Sequence, residues 1–337
     1  MAAQPDDLAA RVRAGDVRAV ARAISVAERG GPDARALVAR LYPHGGHALV
    51  VGVTGAPGTG KSTLVDRLVG VIRGTRATVA VVAIDPSSPF TGGSVLGDRI
   101  RMGGHARDKG VFIRSMATRG HLGGLSSATA DAVSILDAAG HDVVVVETVG
   151  VGQDEVDVMR LADVTVLVLV PGMGDEVQAL KAGVMEIADV FVVNKADRPA
   201  ADQVVAAVES TVALRPDESA WKPSVLKTEA TGGVGVDAVW QAIGRCRDQR
   251  AGGDREARSR ALVESRLREA VARLANEQVA TRAAGAEWEG TVTDVMARRI
   301  DPDAAADQLL AHAFGTDRPR PKQRSEPTAG PCDAELR

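Results

Sequence analysis

The stretch that most constrains this chain is Leu49-Val-Val-Gly-Val-Thr54, followed without a break by Gly55-Ala56-Pro57-Gly58-Thr59-Gly60-Lys61-Ser62-Thr63. A run of β-forming residues ends in a glycine-rich loop. The loop opens a segment whose apolar positions, Leu64, Val65, Leu68, Val71 and Ile72, have helical spacing. Gly55-x4-Gly60-Lys61-Ser62 in a strand–loop–helix setting is the phosphate-binding P-loop pattern. Its glycines let backbone N–H groups turn inward around an oligophosphate, and the helix start adds partial positive charge. Lys61 is placed to reach the β- and γ-phosphates, and the Ser62 hydroxyl to bind Mg²⁺.

Strand-like and helix-like segments alternate around this stretch, from residue 47 to about 250. Apolar β-rich runs occupy 48–54, 78–84, 111–114, 142–147, 164–170, 189–193 and 224–227, with helical patterns between most of them, as at 126–138 and 176–187. Strands apolar on both faces predict an α/β fold: a mostly parallel sheet covered by helices on both faces. Residues 1–46 read as a helical N-terminal extension, broken near Gly15-Asp16, with Pro32 at a helix start and a linker at Tyr42–Gly46. From 251 to 315 the composition turns to Arg, Glu and Ala. Val263, Leu267, Ala270 and Leu274 form a narrow helical seam there, which must pack on the body or on a second subunit. Asp301-Pro302 starts a last helix, and 316–337 reads as a disordered tail.

Ligands of such sheets sit beyond the carboxyl ends of the strands, so chemical residues are expected just after each strand. Asp85 follows the second strand and Asp98 lies thirteen residues on. Both suit hydration-shell contacts to Mg²⁺, and both equally suit turn or helix caps. Glu147 ends an unbroken valine run, with Gly150 three residues later. That is where nucleoside triphosphatases hold Mg²⁺ and read the γ-phosphate. The Ras-like pattern has a water-orienting Gln directly after that glycine. Val151 stands there, and Gln153 lies two positions on. A slow intrinsic hydrolysis, accelerated by something else, is therefore expected. Pro171-Gly-Met-Gly-Asp175-Glu176, with Lys181 on the next helix, is either a third mobile segment or a solvated loop.

Asn194-Lys195-Ala196-Asp197 decides the base. The Asp197 carboxylate can accept from guanine N1–H and the 2-amino group, donors that adenine lacks. A site built on such acceptors rejects the wrong base by ~10⁴-fold or more. Asn194 would brace the loops and the Lys195 stem would lie over the base. Thr228-Glu229-Ala230 stands where G proteins usually offer Ser-Ala and a backbone N–H to guanine O6, with Glu229 in the Ser position. The expected ligands are therefore GTP or GDP with Mg²⁺.

These motifs together resemble the MeaB/ArgK family. The resemblance rests on Gly55–Thr63, Asp85-Pro-Ser-Ser, Gly92-Gly-Ser-x-Leu-Gly-Asp98, Arg114-Ser-Met-Ala-Thr-Arg-Gly-His-Leu-Gly-Gly124, Glu147-Thr-Val-Gly-Val-Gly-Gln153 and Asn194–Asp197. It covers about residues 8–312. It implies a homodimeric P-loop GTPase, with helical N- and C-terminal extensions, that chaperones an adenosylcobalamin-dependent acyl-CoA mutase, chiefly methylmalonyl-CoA mutase. It further implies that Asp85, Asp98 and Glu147 are the Mg²⁺ and switch carboxylates. Lys181 matches a lysine on a third switch that moves toward the nucleotide when the mutase binds, and the C-terminal arm would make the dimer. Arg99-Ile100 after Asp98, and Glu229, depart from the usual pattern.

Composition narrows the partners. A net charge of −3 and 2% aromatic residues leave neither a basic field nor stacking platforms for nucleic acid. The longest apolar runs are of strand length, short of the ~20 residues of a membrane span. Two cysteines, Cys246 and Cys332, have no metal-type pairing, and a reducing cytoplasm fits. The six histidines are scattered, which disfavours a metal-delivery GTPase, the alternative reading.

Overall fold

The computed structural model describes residues 5–86, 103–105, 107–118, 124–148, 161–172, 188–214, 221–249 and 253–315. Seven strands form one parallel sheet in the order β3-β2-β4-β1-β5-β6-β7. They are β1 (Leu49–Thr54), β2 (Val79–Pro86), β3 (Val111–Thr118), β4 (Val143–Glu147), β5 (Val164–Leu169), β6 (Val190–Asn194) and β7 (Ser224–Thr228). Helices α1 (Pro5–Arg13), α2 (Val17–Arg29) and α3 (Gly31–Leu41) precede the sheet. Helices α4 (Lys61–Gly74), α5 (Gly124–Ala138), α6 (Ala201–Ala213) and α7 (Val236–Gln249) connect or follow its strands.

Period-two alternation sorts the strand residues between the faces. Leu49, Val51 and Val53 of β1, with Val79, Val81, Val143 and Val145, pack with Leu64, Leu68 and Ile72 of α4 and Val239 and Ile243 of α7. Val50, Ala80, Val82, Val144 and Val146 face the other way. They are covered by Ile135 and Leu136 of α5 together with Leu8, Val12, Ile24 and Leu37 of the N-terminal helices. Leu167, Leu169 and Phe191 gather against Val208 of α6. The N-terminal helices thus share the sheet's core. Asp16 caps α2 by accepting from Arg18 N (2.9 Å) and Ala19 N (3.2 Å), which explains the break at that point.

Two strands run further than their apolar runs. Pairing of β2 with β3 continues to Asp85↔Ala117 and Pro86↔Thr118, so Asp85 lies within a strand rather than after it. Backbone pairing there outlasts the apolar pattern that marks the strand in sequence.

The chain divides after Ser265 into two units. Helix α8 (Gly253–Arg282) runs through the division, and α9 (Ala286–Met296) and α10 (Pro302–Phe314) follow it. Asp301 caps α10 by accepting from Asp303 N and Ala304 N. The second unit buries mainly Ala283, Ala305, Leu309 and Ala313, and leaves Trp288, Val292, Met296 and Phe314 exposed. Among the described residues no helix is long and apolar enough to cross a membrane.

Candidate nucleotide site

The carboxyl ends of β1, β4 and β6 bring the P-loop, Glu147 and Asn194 to one edge of the sheet. Gly55 has φ 142°, and a Cβ there would lie 2.2 Å from the carbonyl oxygen of Val168 on β5. Only glycine fits so close an approach. Gly60, at φ 90°, forms the N-cap of α4, and a Cβ on it would lie 2.5 Å from Asn194 Nδ2. Thr59 is buried, with its Oγ1 donating to Ala56 O at 2.9 Å. Pro57 and Gly58 are exposed at the loop tip, and Thr63 is exposed on the first turn of α4.

Lys61 is buried, and its Nζ donates to Gly55 O (2.6 Å) and Ala56 O (3.0 Å). The ammonium group therefore sits inside the loop, held by neutral carbonyl oxygens. Ser62 Oγ donates to Glu147 Oε1 at 2.6 Å, joining the start of α4 to the end of β4. Glu147 is itself buried, opposite Val53 in the ladder. A hydroxyl that donates to a carboxylate keeps its lone pairs for a cation. The pair is a hard, all-oxygen donor set of the kind Mg²⁺ prefers. Among the described residues no group of three or more His, Cys, Asp or Glu stands close enough to hold a metal. The side chain of Asp85 and the whole of Asp98, Gly150, Gln153 and Lys181 lie outside the described residues.

The base end is built around Asn194, which is buried at the end of β6. Its Nδ2 donates to Thr59 O at 2.8 Å, and its Oδ1 accepts from Thr228 Oγ1 and Ala230 N, both at 3.1 Å. One amide thus ties the P-loop to the loop after β7. Lys195 takes the left-handed conformation (φ 56°) and donates from Nζ to Gly58 O at 2.7 Å, laying its stem across the gap between the loops. Ala196 N donates to Thr228 O at 3.0 Å, and Asp197 is left exposed. The Glu229 and Val234 backbones bond reciprocally, at 3.0 and 3.1 Å. In this turn, expected to offer a backbone N–H to guanine O6, the N–H groups of Glu229 and Ala230 are both engaged within the protein. Glu229 folds its carboxylate back toward its own turn, where a Cβ on Gly232 would meet it at 3.2 Å.

Three contacts near the site escaped the sequence reading. Thr148 Oγ1 donates to Thr54 Oγ1 at 3.0 Å, between the ends of β4 and β1. Arg67 of α4 donates to Thr231 O at 2.7 Å, bracing the base loop from the P-loop helix. His105 lies against Asp66 of the same helix, with Nε2 3.3 Å from Oδ1. The signal in the sequence was a hydroxyl residue at the end of one valine-rich strand, Thr54, and another directly after a second, Thr148.

The chain is similar to known proteins along most of its length. The family model described as "Methylmalonyl Co-A mutase-associated GTPase MeaB" matches residues 20–287. A relative from Pyrococcus abyssi is 47% identical over 315 residues, covering 92% of this chain and 97% of its own. The GTPase ArgK of Escherichia coli is 42% identical over 241 residues, covering 69% and 73%. The mouse methylmalonic aciduria type A homolog is 38% identical over 57% of this chain and 48% of its own. Among solved structures, a LAO/AO transport system kinase superposes with a TM-score of 0.69 at 28% identity, over 92% of this chain and 97% of that one.

Proposed function

The chain belongs to the MeaB family and is a GTPase, and from that premise we propose that it serves as the GTP-driven chaperone of an adenosylcobalamin-dependent acyl-CoA mutase, methylmalonyl-CoA mutase or a close relative. In this role it gates cofactor loading and protects the mutase during turnover. The observation that carries the reading is the family match over residues 20–287, whose description names association with that mutase.

The residues divide the work as follows. Asp197 accepts from guanine, Asn194 holds the loops, and the Lys195 stem covers the base. An arriving oligophosphate offers Lys61 charged acceptors in place of the carbonyls of Gly55 and Ala56, a stronger pairing. Backbone N–H groups of the P-loop face the phosphates, and Gly150 approaches the γ-phosphate, where water attacks in line. Ser62 and Glu147, with Asp85 and Asp98, would hold Mg²⁺, and the ion would supply positive charge to offset that of the triphosphate. Lys181 is the switch side chain that moves toward the nucleotide when the mutase binds, and Gln153 is the candidate for orienting the attacking water.

The seam on α8 supports a homodimer. Val263, Leu267 and Leu274 are 50%, 63% and 42% exposed, an apolar strip suited to a second copy. A cytoplasmic location and partners other than nucleic acid or membrane complete the reading.

GTP hydrolysis by the purified protein, alone and with each candidate mutase, tests it. A large rise with one mutase and little with another is expected. A flat response to every adenosylcobalamin mutase, with slow GTP turnover retained, refutes the chaperone role and leaves the GTPase standing.

A further inference from the structure

Two threonines stand where β1 and β4 part company. Thr148 N donates to Val53 O at 3.0 Å, one residue past the end of β4, and Thr148 Oγ1 donates to Thr54 Oγ1 at 3.0 Å. Both side chains are buried, at 0% exposure for Thr54 and 4% for Thr148. Beyond Thr54 the chain becomes the P-loop. Thr148 directly follows Glu147, whose carboxylate receives the Ser62 hydroxyl at 2.6 Å. The strand positions leading up to both threonines are mostly valine. A valine at either site would fill the same space without bringing a hydroxyl out of water, which is costly unless the hydroxyl is bonded. Packing alone therefore does not account for the pair.

We propose that Thr148 is a positioning residue for the divalent cation of the nucleotide site. Bonded to Thr54, it fixes the end of β4 against the start of the P-loop and so holds the Glu147 carboxylate at the spacing from Ser62 that a hard cation needs. Outer partners of metal-binding groups act in this way, and their loss typically lowers metal affinity about 10- to 100-fold. The inference rests on the reading of this site as a Mg²⁺-dependent guanine-nucleotide site.

The test is binding of a fluorescent GDP analogue to the full chain, titrated with Mg²⁺ and repeated in EDTA. Thr148→Val is expected to raise the Mg²⁺ concentration for half-maximal tight binding about 10-fold. It should leave the affinity in EDTA unchanged, and Thr148→Ser should restore the parent's behaviour. Should Thr148→Val not fold, Thr54→Val removes the acceptor and carries the same expectation. An unchanged Mg²⁺ midpoint overturns the proposal. So does equal weakening with and without Mg²⁺, or a Ser variant as impaired as the Val variant, since either outcome assigns the threonine to packing. A parent protein that binds GDP with no Mg²⁺ dependence overturns the reading of the site itself, and is distinguished by appearing before any substitution is made.

Discussion

Replacing Asn194 by alanine tests whether the guanine end of the site exists before a nucleotide arrives. The Asn194 amide makes three buried hydrogen bonds, to Thr59 O, Thr228 Oγ1 and Ala230 N. Each such bond contributes about 1 kcal/mol net, and a buried group stranded without a partner costs about 1–3 kcal/mol. The Thr228 hydroxyl can rotate to another acceptor, whereas Thr59 O and Ala230 N cannot move freely. The nucleotide-free protein should therefore lose about 3–5 kcal/mol. In a unit of this size each kcal/mol moves the melting point about 2–4 °C, so a fall of about 6–20 °C is expected by calorimetry. Lys195→Ala is the contrast. It removes one exposed bond, to Gly58 O, and should cost the free protein less than about 1 kcal/mol while weakening nucleotide binding. An Asn194→Ala melting point within about 2 °C of the parent, with nucleotide affinity lost, would refute the argument. The network would then have to form only around bound guanine.

Asp197→Asn should weaken GTP and favour xanthosine triphosphate, because the amide can donate to the 2-oxo group. Unchanged GTP affinity in a titration would sink the base assignment. Gly60→Ala places a Cβ 2.5 Å from Asn194 Nδ2 at φ 90°, so it should destabilise the parent markedly and the Asn194→Ala background less; equal losses in urea melts would show that the clash is not with that amide. His141 is held neutral by burial below its ordinary value of 6.5, against the opposing influence of Asp142. The unfolded chain therefore takes up the proton first, and stability should fall as pH drops below about 6.5 toward the lower folded value. His141→Gln should flatten that slope. Asp142 is held below its ordinary range by the backbone N–H and hydroxyl of Thr78, so its contribution should persist to lower pH and disappear as its own folded value is crossed.

What the sequence made legible was local. Apolar β-rich runs marked the seven strands, and the P-loop and Asn194-x-x-Asp197 spacings marked the two ends of the proposed site, because their chemistry is carried by near neighbours in the chain. Contacts closing long loops left no such mark. Asp137 at the end of α5 accepts from the backbone N–H groups of Gly46, His47 and Ala48, about ninety residues away, and so anchors the segment before β1. Thr54 and Thr148 meet across a similar separation. The apolar periodicity of α1 to α3 was readable, but its destination was not. Nothing local says that Ile24 and Leu37 must cover Val144 and Val146 rather than a partner.

A sheet made so largely of valine raises a question of register. With both faces apolar, a strand that slips by one residue still buries its side chains, so hydrophobic pattern alone discriminates weakly. Yet the proposed site needs Glu147 opposite Val53 and Asn194 opposite Thr228. The discrimination comes from the amino ends of the strands. Three aspartates each stand one residue before a strand: Asp142 before β4, Asp163 before β5 and Asp189 before β6. Asp142 Oδ2 accepts from Thr78 N and Oγ1, both at 2.7 Å, at the start of β2. Asp163 Oδ2 accepts from Val50 N in β1 at 2.9 Å, and Asp189 Oδ2 from Thr165 N in β5 at 2.9 Å. Each carboxylate pins the beginning of a neighbouring strand, and a slip would strand both partners. Charge-assisted bonds of this kind are about twice as strong as neutral ones. Four or five extended residues lie between each pin and the functional group at the other end. The proposed nucleotide site is thus aligned from the opposite end of the strands, by residues that stand before their amino ends.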